Sequence, residues 1–406
     1  MLIQSIAIGS EILKGVTVNT NSSFISSTLK KLGLEVSKHL VISDEKNGIS
    51  LELNHAIRNY DLTVISGGLG PTLDDLTKQI ASEVISSKLE LNQEVLADLK
   101  ARYPHLSTIE NQAQQIKGAT LLKNILGTAW GFILEKDSKF LVFLPGVPKE
   151  FESIVLNELV PWLRKKYPEA IYHEKNYLVL NKREHELDPL LRQINQDAPD
   201  VEIGIYPNYG YLNVYLTSKN LKALDTQSKI FEAHVHDYIV ENVTNPQEAL
   251  HQILKDEKIT LSIAESCTGG KVSEKLTSLS DASLFFKGSI VAYANEVKTN
   301  ILKVDPMIIS QHGAVSSECA EAMALNVKKI FSADLSLAVT GVAGPKGGTQ
   351  EKPVGTVFLS IAYKDQVYSG QLPLVRYPSR DIVTSYAANY LIGKAYQLIR
   401  FKKAPF

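Results

Sequence analysis

Residues 261–270 read LSIAESCTGG, and this stretch decides how the C-terminal region folds. The run 261–264 predicts a strand, the glycine-rich turn 265–270 follows it, and a helix comes next. In open α/β folds, ligands bind at the edge of the sheet where such turns leave the carboxyl ends of the strands. We therefore expect an α/β domain with a ligand site at this turn.

The rest of the C-terminal region supplies further turns at strand ends. Strands are predicted at 288–293, 335–340 and 354–362, and a long closing helix at 379–400. Residues 293–298, YANEVK, end one strand and open a helix, while 340–348, TGVAGPKGG, and 353–356, PVGT, form glycine- and proline-containing corners. Turns of this kind in one domain can converge on one pocket.

The first third of the chain alternates strand and helix signals. Strands are predicted at 2–8 and 140–144, which are apolar runs, and at 36–42 and 62–66, and helices are predicted at 19–32, where apolar residues recur near helical spacing, at 49–59 and from about 74. Repeated βα units predict a parallel, doubly wound sheet. Residues 166–243 then show short alternating strands and polar helices. The fold is therefore predicted as two doubly wound α/β domains, 1–165 and 246–406, joined by a small α+β domain, 166–245.

Composition excludes several classes of partner. The 406 residues carry 43 basic and 44 acidic side chains, so the net charge of −1 offers no field that would attract nucleic acid or an anionic membrane. No apolar stretch reaches the ~18 residues of a membrane span. The only cysteines are Cys267 and Cys319, which exclude a disulfide framework and predict a reducing, cytoplasmic location. Phosphate-bearing small molecules caught by local geometry are the expected ligands.

Ser266 is the candidate nucleophile, because it lies in the turn just before a helix N-terminus, where amides can hold an oxyanion. The alternative is an ordinary N-cap serine. A serine needs a base, and neither His251, on a helix, nor His312, in a loop, suits. Lys298 and Tyr293 remain. An ordinary lysine, with a pKa of ~10.4, is charged at neutral pH. For Lys298 to act as a base, burial must lower its pKa; otherwise it acts as a positive charge that lowers the pKa of the serine. Its alternative role is a solvated helix lysine.

A second glycine-rich loop, GGLGPTLDDLT at 67–77, follows a strand and opens a helix. The backbone around Gly68, Gly70 and Thr72 can cradle phosphates. Asp74 and Asp75 at the first helical turn can hold a divalent cation that the phosphates also touch. The alternative is that both aspartates only favour the helix dipole.

The C-terminal motifs together resemble the C-terminal domain of the CinA family, a nicotinamide-nucleotide amidase. The matching stretches are 264–270, 293–298, 313–316, 340–348 and 353–356. The resemblance implies hydrolysis of nicotinamide mononucleotide (NMN) to nicotinate mononucleotide and ammonia, without a metal or cofactor. It implies that Ser266 is the nucleophile, that Lys298 with Tyr293 activates it, that Thr340 lies at the reacting centre and that Arg380 binds phosphate. The remaining residues that it implies for substrate binding are Thr268, Gly269, Gly270, Asn295 and Gly344.

The N-terminal third resembles the molybdopterin-binding fold of the MogA/MoaB type, as found in the N-terminal domain of CinA proteins. The matching stretches are 9–13, 19–21, Asp44, 67–77, 127–129 and 145–148. The resemblance implies an ADP-ribose pyrophosphatase that is stimulated by K⁺ and by a divalent metal such as Mg²⁺. The implied metal ligands are Asp44, Asp74 and Asp75. It also implies a homodimer.

The N-terminal resemblance has departures. Trp130 stands where the family has proline, and Ile116 replaces another proline. The family's Gly-x-x-Glu-Ser stretch has no clear counterpart at 181–185. Because Trp130 is bulky enough to fill part of a pocket, we expect a weak or silent pyrophosphatase.

Two further functions compete with the amidase. The N-terminal fold is also compatible with a molybdopterin-handling protein, but fold does not fix function, and the C-terminal motif set argues against that as the main role. The second competing function is that of a non-enzymatic nucleotide-binding or DNA-uptake factor. The balanced charge and the absence of a basic stripe argue against direct DNA binding.

Overall fold

The computed structural model describes residues 1–72, 75–168, 172–374 and 379–406. The chain divides into two units, Met1–Tyr172 and His173–Phe406. Both units combine sheets with covering helices, which confirms the predicted α/β class. The second unit contains both the middle segment and the C-terminal region, so the predicted boundary near 245 falls inside it and stays a prediction.

The first unit begins with a buried strand and alternates helices and strands through residue 66. A π-helical segment, Val155–Leu159, separates its last two helices. In chain order its elements are β1 Ile3–Ile8, α1 Ser10–Leu13, α2 Thr20–Lys30, β2 Val36–Ile42, α3 Lys46–Asn59, β3 Leu62–Ser66, α4 Thr77–Ile85, β4 Leu89–Leu91, α5 Gln93–Arg102, α6 Ile109–Ala113, β5 Gln114–Ile116, β6 Thr120–Leu122, β7 Gly131–Lys136, β8 Lys139–Leu144, α7 Pro148–Ile154 and α8 Val160–Lys166.

The main sheet of this unit has the strand order β2-β1-β3-β8-β7-β6. Strands β2, β1, β3 and β8 are parallel, as the repeated βα units predict. Strands β7 and β6 are antiparallel and were not predicted. The hairpin between β7 and β8 turns at Asp137 and Ser138, which both have left-handed φ values of 53° and 61°. Such a two-residue turn joins antiparallel neighbours, whereas parallel strands need a longer crossover.

The second unit contains the motif from which the sequence analysis started. A short 3₁₀ segment, Ala282–Leu284, precedes its sixth strand. In chain order its elements are β9 His173–Leu180, α9 Glu184–Asp197, β10 Glu202–Asn208, β11 Tyr211–Ser218, α10 Leu221–Val235, β12 Ile239–Glu241, α11 Pro246–Asp256, β13 Leu261–Glu265, α12 Lys271–Thr277, β14 Phe286–Val291, α13 Asn295–Asn300, α14 Pro306–His312, α15 Ser317–Phe331, β15 Leu335–Gly341, β16 Val357–Tyr363, β17 Gln366–Gln371 and α16 Arg380–Phe401.

Two sheets form the framework of this unit. The first is antiparallel with the order β10-β11-β9-β12, and the second has the order β14-β13-β15-β16-β17. In the second sheet, β13 pairs in parallel with β14 and β15, as predicted, but β15, β16 and β17 are antiparallel. The predicted strand 354–362 begins only at Val357, and β17 was not predicted. Its half-buried residues give no continuous apolar run.

Helix α16 is buried on several sides, which explains why its sequence is apolar beyond a single stripe. Its apolar residues share one core with β13, β15 and β16 and also with Leu178 and Leu180 of β9. Polar contacts attach the same helix to the middle segment. Asn389 Nδ2 donates to the Tyr209 carbonyl at 2.8 Å, and Asn181 Nδ2 donates to Gln397 Oε1 at 2.9 Å. Within the described ranges, no helix is both long and apolar enough to cross a bilayer.

Candidate active site

Ser266 lies at the carboxyl end of the parallel strands of the second unit. It follows the last residue of β13, and its amide donates to the Val339 carbonyl of β15 at 3.0 Å. The turn then leads into α12 through Gly269 and Gly270, whose φ values of 63° and 106° are left-handed. Residues with a side chain rarely adopt these backbone φ values, so both positions favour glycine. The predicted strand–turn–helix is therefore present, with Ser266 as the first residue of the turn.

Lys298 points into this turn from α13. Its Nζ lies 3.1 Å from Ser266 Oγ and donates to the Ala292 carbonyl at 2.8 Å and to the Tyr293 carbonyl at 3.4 Å. The side chain is only 1% exposed. The alternative of a solvated helix lysine is therefore wrong.

Burial is the main influence on the charge of this lysine. It lowers the pKa of Lys298 below the ordinary 10.5, because a charged group loses hydration when it is buried. The thiols of Cys319 and Cys267 act in the opposite direction and more weakly. In the described part of the chain, no carboxylate lies within ion-pair distance of Lys298. A neutral amine can donate two hydrogens to the two carbonyls and turn its lone pair towards the Ser266 hydroxyl.

Tyr293, the other candidate base, faces a different partner. Its side chain is 58% exposed, and its hydroxyl accepts a hydrogen bond from Nη2 of Arg380. The described residues show no hydrogen bond from this hydroxyl to Ser266 or Lys298, and only the Tyr293 carbonyl contacts the lysine. The structure thus joins Lys298, and not the phenol, to the serine.

Arg380, the first residue of α16, connects two of the predicted turns. Nη1 donates to the Gly344 carbonyl at 2.9 Å, and Nη2 reaches Tyr293. The guanidinium borders a cavity of 430 Å³ beside the serine turn. The residues that line this cavity are Cys267, Thr268, Gly269, Arg380, Asp381 and Thr384. Arg380 therefore lines a cavity next to the residues that follow Ser266, although Ser266 itself is not among the lining residues.

The other predicted residues of this region have structural contacts. Thr340 is buried, and its hydroxyl donates to the Ala314 carbonyl at 2.7 Å. Gly344 has a φ of 83°, and a Cβ there would lie 2.4 Å from Cγ1 of Val354. Asn295 is exposed at the start of α13, and its carbonyl accepts from Thr299 Oγ1 at 3.3 Å. Thr340 and Gly344 are therefore packed within the C-terminal region, while a role of Asn295 in substrate binding stays a prediction.

Sequence reasoning missed Glu265, which organises the turn. The side chain is fully buried, and its two oxygens accept hydrogen bonds from the start of α12 and from the residues before it. The donors are Thr268 Oγ1 (2.7 Å), the amides of Gly270 (3.0 Å), Val272 (3.1 Å) and Ser273 (2.9 Å), and Ser273 Oγ (2.6 Å). The signal in the sequence is an acidic residue at the end of a buried strand, directly before the candidate nucleophile.

We expect Glu265→Gln to lower the free energy of unfolding by about 2 kcal/mol or more. In either orientation, the amide –NH₂ would face at least two donors that now share a carboxylate oxygen, which leaves buried donors unpaired. Urea unfolding of the full chain measures the change. Glu274→Gln, at an exposed position of the same helix, is the matched control. Equal stability of the two variants would show that the carboxylate does not hold the turn.

In the first unit, the predicted phosphate loop is closed by Asp75. Oδ2 of this residue accepts from the Thr72 amide at 3.0 Å and from the Thr72 hydroxyl. A Cβ at Gly70 would lie 2.5 Å from the same oxygen, and a Cβ at Gly68, where φ is 69°, would lie 2.0 Å from Thr77 Oγ1. The left-handed φ of Gly68 favours glycine, and the absence of a side chain at Gly70 leaves room for the Asp75 carboxylate.

The predicted metal ligands of this unit are only partly described. Asp74 lies outside the described residues. Oδ2 of Asp44 accepts from the Ser10 amide at 2.8 Å. Within the described ranges, no group of three or more His, Cys, Asp or Glu side chains is arranged to hold a metal ion. A metal site formed by Asp44, Asp74 and Asp75 stays a prediction.

Trp130 belongs to a small hydrophobic core. Its side chain is buried among apolar residues of α5 and α6, including Val95, Leu99 and Ile109. Lys123 lies over the indole, 5.5 Å from the ring centroid. The bulk of this tryptophan is accommodated in packing and not in an open pocket.

Comparison with known proteins agrees with both resemblances. Residues 243–393 match the family described as the CinA C-terminal domain, and residues 4–165 match the family described as "Probable molybdopterin binding domain". A CinA-like protein of Pseudothermotoga lettingae is 38% identical over 366 residues, which cover 88% of this chain and 89% of the relative. A CinA-like protein of Thermotoga maritima is 36% identical over 406 residues, covering 96% and 98%.

Solved structures match part of the chain. The crystal structure of CinA from Thermoplasma acidophilum is 35% identical, with 40% of this chain and 96% of that chain covered and a TM-score of 0.37. The two domain matches stand in the same order as the two predicted α/β domains. The near-complete coverage of the relatives shows that the chain belongs to the CinA family.

Proposed function

We propose that the second unit hydrolyses the carboxamide of NMN to nicotinate mononucleotide and ammonia. The observation that carries the proposal is the 3.1 Å contact between Ser266 Oγ and Nζ of a buried lysine whose pKa is lowered. This pair supplies a nucleophile and a base in direct contact, which is the minimum that an amide-cleaving serine needs. The substrate follows from the resemblance of the motifs to the nicotinamide-nucleotide amidase domain.

The reaction proceeds in two halves. Neutral Lys298 takes the hydroxyl proton while Ser266 Oγ bonds to the carboxamide carbon, and it then gives this proton to the leaving nitrogen as the C–N bond breaks and ammonia departs. A serine ester remains. Water then attacks the ester carbon, its proton passes to Lys298 and on to Ser266 Oγ, and nicotinate mononucleotide is released. No proton is gained or lost by the enzyme over the cycle, apart from ionisation of the products.

The turn offers donors for the oxyanion. Glu265 holds the turn in place, and the amide of Thr268 makes no hydrogen bond to any described residue. A backbone amide that is held rigidly before substrate binds stabilises developing negative charge at little cost. Arg380, anchored to the Gly344 carbonyl, provides the cation for the nucleotide phosphate, since a guanidinium forms paired hydrogen bonds to phosphate oxygens.

The proposed deamidation needs no cofactor, because side chains and amides supply each group that takes part. We further propose that the first unit is a metal-dependent ADP-ribose pyrophosphatase. Support comes from the tight loop around Gly68 and Gly70 and from Asp75, where only one carboxylate oxygen is used by Thr72. Mg²⁺ is commonly held by one or two carboxylates together with substrate phosphates, so these oxygen donors suit it. The K⁺ stimulation and the homodimer implied by the resemblance stay predictions.

We expect the two activities to respond differently to a chelator. The full chain should release ammonia from NMN at the same rate with and without EDTA, whereas EDTA should stop any hydrolysis of ADP-ribose, because a divalent cation stabilises charge on a pyrophosphate. Asp75→Ala should also stop only the second activity. Ammonia release measures the deamidase activity, and AMP formation measures the pyrophosphatase activity. Deamidation that is lost with EDTA and restored by Mg²⁺ would contradict the assignment of a metal-free serine site.

A further inference from the structure

The connection between β15 and β16, residues 342–356, is long for the strands that it joins. These strands are antiparallel neighbours, which a hairpin loop of about two to five residues can join. The connection leaves the carboxyl end of β15, at the same edge of the sheet as Ser266, which follows β13. Long ordered loops in compact domains are often functional, so the charged residues of this loop are candidates for a role at the site.

The loop is held at its base and at its tip. At the base, the Val342 amide donates to the Thr356 carbonyl at 2.8 Å. At the tip, the Thr349 amide donates to the Lys352 carbonyl at 3.0 Å, and Lys352 Nζ donates to the His312 carbonyl at 3.0 Å. The ammonium group of Lys352 is therefore committed to the end of α14.

Lys346 lies between these two anchors. Its side chain is exposed, and among the described residues it has no carboxylate within ion-pair distance. Two positions earlier, the Gly344 carbonyl accepts from Arg380 Nη1 at 2.9 Å. Two residues of chain span at most about 7 Å, and a lysine carries its charge on a flexible four-carbon stem. The ammonium group of Lys346 can therefore reach the space in front of the Arg380 guanidinium.

A phosphate monoester needs more than one cation to balance its charge, since it carries about −1.5 to −2 charges at pH 7. In the cavity beside the serine turn, Asp381 is paired with Lys271 at 2.7 Å, which leaves Arg380 as the unpaired cation of the lining. Glu351, the only carboxylate of the loop, lies in the turn at its tip. Lys346 is therefore a nearby cation that has no partner among the described residues.

We propose that Lys346 and Arg380 together bind the phosphate of the substrate, so that Lys346 contributes to the preference for a nucleoside monophosphate. This inference rests on the proposed deamidation of NMN. The guanidinium can pair with two phosphate oxygens, while an ammonium group acts as a compact charge at the third. The loop between β15 and β16 thereby becomes part of the substrate site.

Steady-state kinetics of the full chain at constant ionic strength test the proposal. Lys346→Gln should raise KM for NMN by about tenfold and leave kcat within about twofold, because the phosphate contact is the same in the ground state and the transition state. Lys346→Arg keeps the charge and should restore most of the affinity. Lys329→Gln is the matched control, since Lys329 is an exposed lysine in the last turn of α15, which leads into the opposite end of β15.

Nicotinamide riboside, which lacks the phosphate, separates a lost contact from a disturbed loop. Lys346→Gln should convert this compound with unchanged kcat/KM. A loss of activity towards both substrates would give Lys346 a structural role and overturn the proposal, and so would equal KM values of Lys346→Gln and Lys329→Gln for NMN. An unmodified chain that releases no ammonia from NMN would instead contradict the proposed deamidation itself, and this inference with it.

Discussion

Ser266→Ala is expected to reduce ammonia release from NMN by on the order of 10⁴-fold or more, since removing the nucleophile of a serine hydrolase removes the covalent route. The fold should stay intact. The serine amide keeps its hydrogen bond to the Val339 carbonyl, and only the contact between Oγ and Lys298 is lost. A coupled ammonia assay and thermal unfolding of the same preparation measure the two effects.

Ser278→Ala is the matched control for this substitution. Ser278 follows the last residue of α12 and is exposed, and among the described residues its hydroxyl contacts only the nearby Lys275 carbonyl. It should keep normal activity. If Ser266→Ala also kept near-normal turnover with unchanged stability, Ser266 would be an ordinary helix-capping serine, and the proposed mechanism would be wrong.

Lys298→Arg is expected to lower kcat by on the order of 10³-fold and to change KM little. Arginine keeps the positive charge but cannot be deprotonated, so this variant separates a base from a charge that merely lowers the pKa of serine. Lys298→Met, which removes both, should be equally inactive. Steady-state kinetics with NMN measure both constants. An active Lys298→Arg variant would assign the role to the charge, and a raised KM with normal kcat would make Lys298 a substrate ligand.

The same assignment predicts how the rate depends on pH. A general base works in its deprotonated form, so kcat/KM should rise as pH passes through the pKa of Lys298. Burial lowers that pKa below 10.5, so the rise should begin at a lower pH than for an exposed lysine. A rate that falls with increasing pH across neutrality would contradict a neutral lysine as the base.

Much of the framework could be predicted from local sequence. Strands β2 and β3 have the predicted limits, 36–42 and 62–66; β3 is a short buried run, whereas the aliphatic residues of β2 are interrupted by three exposed polar residues. The turn around Ser266 was also predictable, since Gly269 and Gly270 allow the left-handed φ values that it requires. Helix α16 begins within one residue of the predicted start, with Ser379 as its N-cap.

The antiparallel strands β7 and β17 could not be predicted in this way. Pairing direction depends on which strand lies beside which, and short hairpin turns such as 137–138 carry a weak local signal. The burial of Trp130 could not be predicted from local sequence either. Whether a bulky side chain fills a ligand pocket or a core is decided by the apolar surfaces of α5 and α6, which meet it only in the folded unit.

The sequence alone determined the α/β class, the family and the position of Ser266, because each depends on residue types at fixed spacing along the chain. Only the tertiary structure distinguished Lys298 from Tyr293, since their side chains are five residues apart and turn to different partners, one buried at Ser266 and the other exposed at Arg380. The tertiary structure also revealed the role of Glu265. A buried charge is tolerated only where donors converge on it, and that convergence exists once β13 and α12 have packed together.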